Sequence, residues 1–151
     1  MICSIFAGRE YNRYVERRIG ELDGFVAFLN HAKSEISMYL TPAKRISRGF
    51  QNEILERLGF LSAIESEGNI SRAFLSCYGG LSIGKEAKEL LSEFFSEFGQ
   101  GYREQELARI DRFRSDLEKI LERDREELPK NARMVSTLLL AGALGIFILL
   151  L

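Results

Sequence analysis

The stretch Leu22–Leu40, LDGFVAFLNHAKSEISMYL, decides the fold class. Leu22, Val26, Leu29, Ala32, Ile36 and Leu40 recur at three- and four-residue steps, with Phe25 beside Val26. Side chains at that spacing share one face of an α-helix, whereas a strand needs strict alternation. The stripe predicts an amphipathic helix from about Arg9 to Leu40, weakened but not ended by Gly20 and Gly24. Thr41 and Pro42 then punctuate the chain. The residue before a proline is pushed out of helical geometry, while proline suits the first helical position and threonine the cap before it. A sharp corner is expected there, followed by a second helix carrying Ala43 and Ile46 and leaving at Gly49.

The same periodicity continues downstream. A third helix is expected from about Gln51 to Ser66, and a short fourth from Ile70 to Tyr78, stopped by Gly79 and Gly80. A fifth runs from Lys85 to Phe98, with Gly99, Gln100 and Gly101 as the break after it. The sixth is long, from Tyr102 to Leu128, and Arg114 interrupts its apolar stripe where leucine is easier to explain. Phe50, Phe60, Phe74, Phe94, Phe95, Phe98 and Phe113 are expected in the core. No useful length alternates with a strand period. The fold class read from this pattern is all-α, a compact antiparallel bundle of about six helices.

The end of the chain differs from this body. Met134–Leu151, MVSTLLLAGALGIFILLL, carries no charge. As a helix it spans about 27 Å, close to the roughly 30 Å of a bilayer's hydrocarbon core. It is therefore expected as a C-terminal transmembrane helix, the alternative being a buried helix of a soluble bundle. Ala141, Gly142 and Gly145 are small, and the four-residue spacing of Ala141 and Gly145 suits close helix packing in a membrane. Lys130 and Arg133 just before the tail favour a cytoplasmic body. Ile2–Ala7 is apolar but too short to span, and reads as a membrane-surface foot or the remnant of a first membrane helix. The chain thus divides into a short N-terminal segment over 1–8, a cytoplasmic bundle over 9–133 and a membrane helix over 134–151.

Composition narrows the function. The 151 residues are 46% hydrophobic and 28% charged with net charge −1, which excludes disorder and a nucleic-acid binder relying on bulk positive charge. Residues 1–50 hold eight Lys or Arg against five Asp or Glu, and residues 51–100 hold four against eight. The basic part adjoins the apolar start, as expected beside a membrane surface. The acidic part suits either a basic partner or plain solvation. Cys3 and Cys77 lie far apart and form no CxxC pair, and His31 stands alone, so no metal or cofactor site is indicated. Gly79 to Lys85 fails the phosphate-loop pattern because Glu86 follows the lysine. No acid, base or nucleophile constellation emerges, and the chain reads as a binding or scaffold module rather than an enzyme.

Three segments carry a family resemblance. They are Glu35 to Pro42 with its threonine-proline corner, Phe98-Gly99 followed by Tyr102-Arg103-Glu104-Gln105, and Leu140-Ala141-Gly142 with the Ile146–Leu149 run. In that order and spacing the chain resembles the stage III sporulation protein AB family of endospore-forming bacteria. Two features depart from the family pattern: the reduced N-terminal anchor, and Leu138 where the family tends to place a glycine. The resemblance implies a helical domain similar to that of the type II secretion platform protein, in the mother-cell membrane around the forespore. The body would face the mother-cell cytoplasm and contact a secretion-type ATPase, the stage III sporulation protein AA, together with other channel membrane proteins. It implies no nucleic acid and no small-molecule substrate. The expected interaction surface is the corner with Glu35, Thr41 and Pro42 and the turn with Gly99, Glu104 and Gln105, although helix junctions of any bundle use such residues. The alternative function is a tail-anchored adaptor of another bacterial membrane complex.

Overall fold

The computed structural model describes residues 2–39 and 45–149, of which the side chains of 2–7 and of several positions after Asn131 lie outside the description. Six α-helices and no strand occur among the described residues: α1 (Ile2–Tyr39), α2 (Glu53–Arg57), α3 (Phe60–Glu67), α4 (Ile70–Cys77), α5 (Lys85–Glu97) and α6 (Arg103–Leu149). The Thr41-Pro42 corner lies outside the described residues.

α1 and α6 form a long antiparallel pair. Arg18 meets Asp124 about midway along both helices, Lys33 meets Asp111 nearer the end of α1, and Arg103 meets the α1 carbonyls of Ile36 and Ser37 at that end. The start of α1 and the end of α6 therefore share one end of the molecule. α5 runs antiparallel to α6, through Glu86 with Arg123 and Glu97 with Arg109.

The core is built on phenylalanines. Phe60, Phe74, Phe94, Phe95, Phe98 and Phe113 are buried as the pattern predicts, and Phe50 packs against them. Phe25 and Phe28 of α1 occupy the centre. The Phe25 ring lies 5.4 Å from Phe60 and 5.8 Å from Phe74, and Phe28 lies 5.3 Å from Phe50 and 5.5 Å from Phe60. Edge-to-face contacts of this kind add about 0.5–1.5 kcal/mol per pair beyond area burial.

Several expected boundaries are corrected. α1 begins at Ile2, and no break separates the apolar start from the basic stretch. Residues 46–49 form a turn where the expected second helix would end, its start at 42–44 lying outside the described residues, and the turn is tied to α1 by the His31 Nε2–H, which donates to the Ile46 carbonyl at 2.9 Å. The expected helix from Gln51 to Ser66 is two helices. Asn52 caps the first by accepting from the Ile54 and Leu55 amides, and Gly59, at φ +78°, breaks the chain before the second. A left-handed residue cannot continue a right-handed helix. Gly20 and Gly24 serve packing: a Cβ at Gly20 would meet the Ile54 side chain at 2.7 Å, so α2 sits directly on α1.

The largest correction concerns α6, which does not stop at Leu128. It continues through Pro129 to Leu149 as one helix of 47 residues. Proline removes the amide that the Arg125 carbonyl would otherwise accept, yet the helix persists. The expected membrane segment is thus the continuation of the sixth helix. Among the described residues no helix is long and apolar enough to cross a membrane. The side chains of residues 142–149 lie outside the description, and with them most of the expected span.

Candidate functional site

The end of the bundle farthest from the apolar segments is built by the last turn of α1 and the first turn of α6. The break after α5 creates the local problem. Gly99 takes φ +85°, and the amides of Gly99 and Gly101 have no helical acceptor. Glu106, one turn into α6 and nearly fully buried, supplies it. Its carboxylate accepts from the Gly99 N–H at 3.2 Å and the Gly101 N–H at 2.8 Å. Arg109 neutralises the same carboxylate at 2.5 Å and donates to the Glu97 carbonyl at 3.1 Å. The site residue Gln105 acts as a cap: its Oε1 accepts from the Tyr102 N–H at 3.3 Å, the return half of a capping box. Gln100 closes α5 by donating to the Ser96 carbonyl at 2.8 Å.

Arg103 joins this turn to α1. Its Nε donates to the Ile36 carbonyl at 3.2 Å, and its Nη2 donates to the Ser37 carbonyl. Those carbonyls belong to the last turn of α1, where helical acceptors lack intrahelical donors and a cation is favoured. The two junctions chosen from sequence, 67 residues apart at Ile36 and Arg103, are thereby one surface. Glu35 is half-buried on it and Glu104 is exposed; Thr41 and Pro42 lie outside the described residues. The surface leaves three large side chains in solvent: Met38 at 72%, Tyr39 at 70% and Tyr102 at 83% exposure. Just beneath, Lys33 binds Asp111 through both carboxylate oxygens, at 2.7 and 2.9 Å, which holds the Asp111 carboxyl below its ordinary range. Arg114, the interruption in the α6 stripe, reaches Asp111 and Glu118 at 3.4 and 3.2 Å.

Midway along α1 and α6 lies a second polar knot. Arg18 forms a two-point pair with Asp124, Nε–Oδ2 2.7 Å and Nη2–Oδ1 3.1 Å, with Asp124 nearly fully buried. Glu21, fully buried, accepts from the Ser82 and Ile83 amides at 2.6 and 3.2 Å, fixing the loop that enters α5. Its Oε1 has no partner, and burial pushes its carboxyl above the ordinary range against the pull of those amides. Of the residues expected to pack in the membrane, Ala141 is exposed on α6 beside Leu138 and Thr137, and Gly142 and Gly145 follow on the same helix. Among the described residues no group of three or more His, Cys, Asp or Glu is placed to hold a metal.

Sequence reasoning chose the turn at the tip but missed the side chains that build it. In the sequence, Glu106 and Arg109 look like an ordinary opposite-charge pair on an exposed helix. A glycine-bearing turn with unpaired amides one helical turn upstream was the available signal. Arg103 offered none, because its acceptors are backbone atoms of a distant helix.

A family model for stage III sporulation protein AB matches residues 1–151, the whole chain. The chain belongs to the stage III sporulation protein AB family. No curated protein and no solved structure matches it. Two of the three segments that carried the resemblance, around Glu35 and around Gly99, are the two halves of the tip in this member of the family.

Proposed function

We propose that the chain is a non-enzymatic, membrane-anchored platform subunit of the mother cell–forespore channel in sporulation. In this reading its helical body faces the mother-cell cytoplasm, and the surface around Arg103 docks a secretion-type ATPase, the stage III sporulation protein AA. Membership of the sporulation family supports the setting. The observation that carries the docking surface is the Arg103 clasp, which unites two junctions and leaves Met38, Tyr39 and Tyr102 in water. Tyrosines presented on a rigid support are favoured anchors of protein interfaces, because they bury much area at little entropic cost. The uncharged tail and the apolar start share the other end, which suits a body held at a membrane with its tip projecting.

The test is binding of the purified ATPase to the full chain in detergent. The double variant Tyr39→Ser, Tyr102→Ser is expected to weaken binding at least tenfold with an unchanged unfolding midpoint, since both rings are exposed. Full binding by this variant removes the docking role of the tip. Capture of a vegetative membrane complex in place of the ATPase from sporulating cells replaces the channel reading with the adaptor reading.

A further inference from the structure

Arg9, Arg13 and Arg17 follow one another at four-residue steps on α1, so they share one helix face, and all three are exposed. Arg13 and Arg17, with Arg57 from α2, line a single cleft of about 480 Å³ that also includes Ile54 and Leu58. Arg9 and Arg17 make no hydrogen bond or salt bridge among the described residues. Tyr11 and Tyr14 stand on the same stretch, with rings 6.3 Å apart.

The placement of this face matters more than its charge alone. On a helix every Cα–Cβ bond tilts toward the N-terminus, so these arginines lean toward the apolar start Ile2–Ala7. Arg13 lies six residues beyond Ala7, about 9 Å along the axis. The headgroup layer adds about 5–8 Å on each side of the hydrocarbon core, within reach of a long arginine stem leaning toward it. Tyrosine is enriched at that level too. The register set by Arg18 opposite Asp124 puts Lys130 level with Asn12, in the same layer. Glu10 pairs with Arg13 at 3.2 Å and Glu53 with Arg57, both exposed surface pairs that are weak and free to exchange. Glu16 and the buried Glu21 also line the cleft, and Glu126 and Glu127 of α6 lie farther from the apolar end than Arg13.

We infer that Arg9, Arg13 and Arg17 hold the phosphates of anionic phospholipid headgroups of the phosphatidylglycerol type. This rests on the membrane-anchored reading above. Guanidinium groups suit phosphate because they donate two parallel hydrogen bonds to it. The site gives the body a fixed footing on an anionic leaflet, beyond the anchorage that any apolar tail supplies.

The experiment places the full chain in nanodiscs of phosphatidylcholine alone and of phosphatidylcholine mixed with phosphatidylglycerol. Phenylglyoxal labelling of each arginine is then followed by mass spectrometry. Labelling at Arg9, Arg13 and Arg17 is expected to slow about fivefold each in the anionic discs, the factor that corresponds to the per-residue attraction of a basic group to such a surface. Arg48, exposed near the other end of α1, should label equally in both. Equal rates at all four arginines overturn the inference while leaving the anchor intact; failure to enter either disc removes the anchor itself. In detergent, the Arg9→Gln, Arg13→Gln, Arg17→Gln variant should lose co-purifying phosphatidylglycerol, and retention at the wild-type level also overturns the inference. Protection of the same arginines by soluble glycerol phosphate, at equal phosphate concentration, assigns the face to a soluble anion and overturns the lipid assignment.

Discussion

Glu106 and Glu21 solve the same problem at two levels of the bundle, the tip and the middle of α1. Each is a buried glutamate that accepts two loop amides just before a helix. At the tip, Glu106 also has Arg109, so every charge and every donor around it is matched. Midway along α1, Glu21 has one oxygen without a partner among the described residues, and its two amides offset the cost of burying the charge only in part. Two backbone amides can thus hold a carboxylate in place, but at Glu21 they do not outweigh the burial that raises its carboxyl above the ordinary range.

The largest expected effect separates these sites. Glu106→Ala leaves two part-buried loop amides without acceptors and Arg109 without its carboxylate, and should cost about 3 kcal/mol in urea unfolding of the full chain in detergent, at roughly 1–3 kcal/mol per orphaned group. Loss of the Glu97 to Gln105 turn geometry should accompany it, seen as faster amide exchange there.

Next comes the amide substitution made at both sites. Glu106→Gln removes a charge-assisted contact with Arg109 and should destabilise by about 1.5–3 kcal/mol. Glu21→Gln keeps an acceptor for Ser82 and Ile83 and removes an ill-solvated charge, so its cost should stay under about 1 kcal/mol. Equal losses at the two positions break the comparison.

The pH dependence sharpens it. Burial raises the Glu21 carboxyl in the folded state, so the native chain holds that proton more tightly than the unfolded chain. Its contribution is fully present below the unfolded value and is lost as pH rises through the folded value. Asp111 works in the other direction: its lowered carboxyl stabilises above the unfolded value and loses that contribution as pH falls. Unfolding curves across the acid range should therefore show wild type losing stability relative to Glu21→Gln as pH rises above the ordinary glutamate range. A constant difference between the two proteins across that range contradicts the role given to the bare oxygen.

The smallest effect is steric. A Cβ at Gly101 meets the Glu106 Oε1 at 2.9 Å and the Gln105 Oε1 at 3.2 Å. Gly101→Ala should displace these two side-chain ends at a cost of about 1 kcal/mol, with little effect on the Glu21 loop. Thermal unfolding of the two glycine and glutamate variants together would show whether their losses add, which they should not, because they share an atom.

Much of this architecture was legible before any coordinates. The stripe from Leu22 to Ile36 marks the buried face of α1, and the glycines at 79–80 and 99–101 mark where α4 and α5 give way to turns. The phenylalanines after residue 40 are core because no other environment suits so many large apolar rings. The break at Gly59 escaped because a lone glycine inside an apolar period is ambiguous until its φ is seen. The sixth helix was expected to end at Leu128, yet it runs on through Pro129. At the tip, both junctions were visible as sequence punctuation, but their adjacency was not.

The amino-acid sequence by itself determined an all-α chain, the positions of most turns, the phenylalanine-rich core and the family. Those properties follow from period, turn chemistry and apolar content, which are local or summed along the chain. Only the tertiary structure decided that Arg103 closes α1, that Glu106 is a buried cap and that Glu21 keeps a bare oxygen. Each of these depends on which backbone groups a neighbouring segment leaves unsatisfied, and hydrogen-bond partners across space are set by packing and not by spacing along the chain.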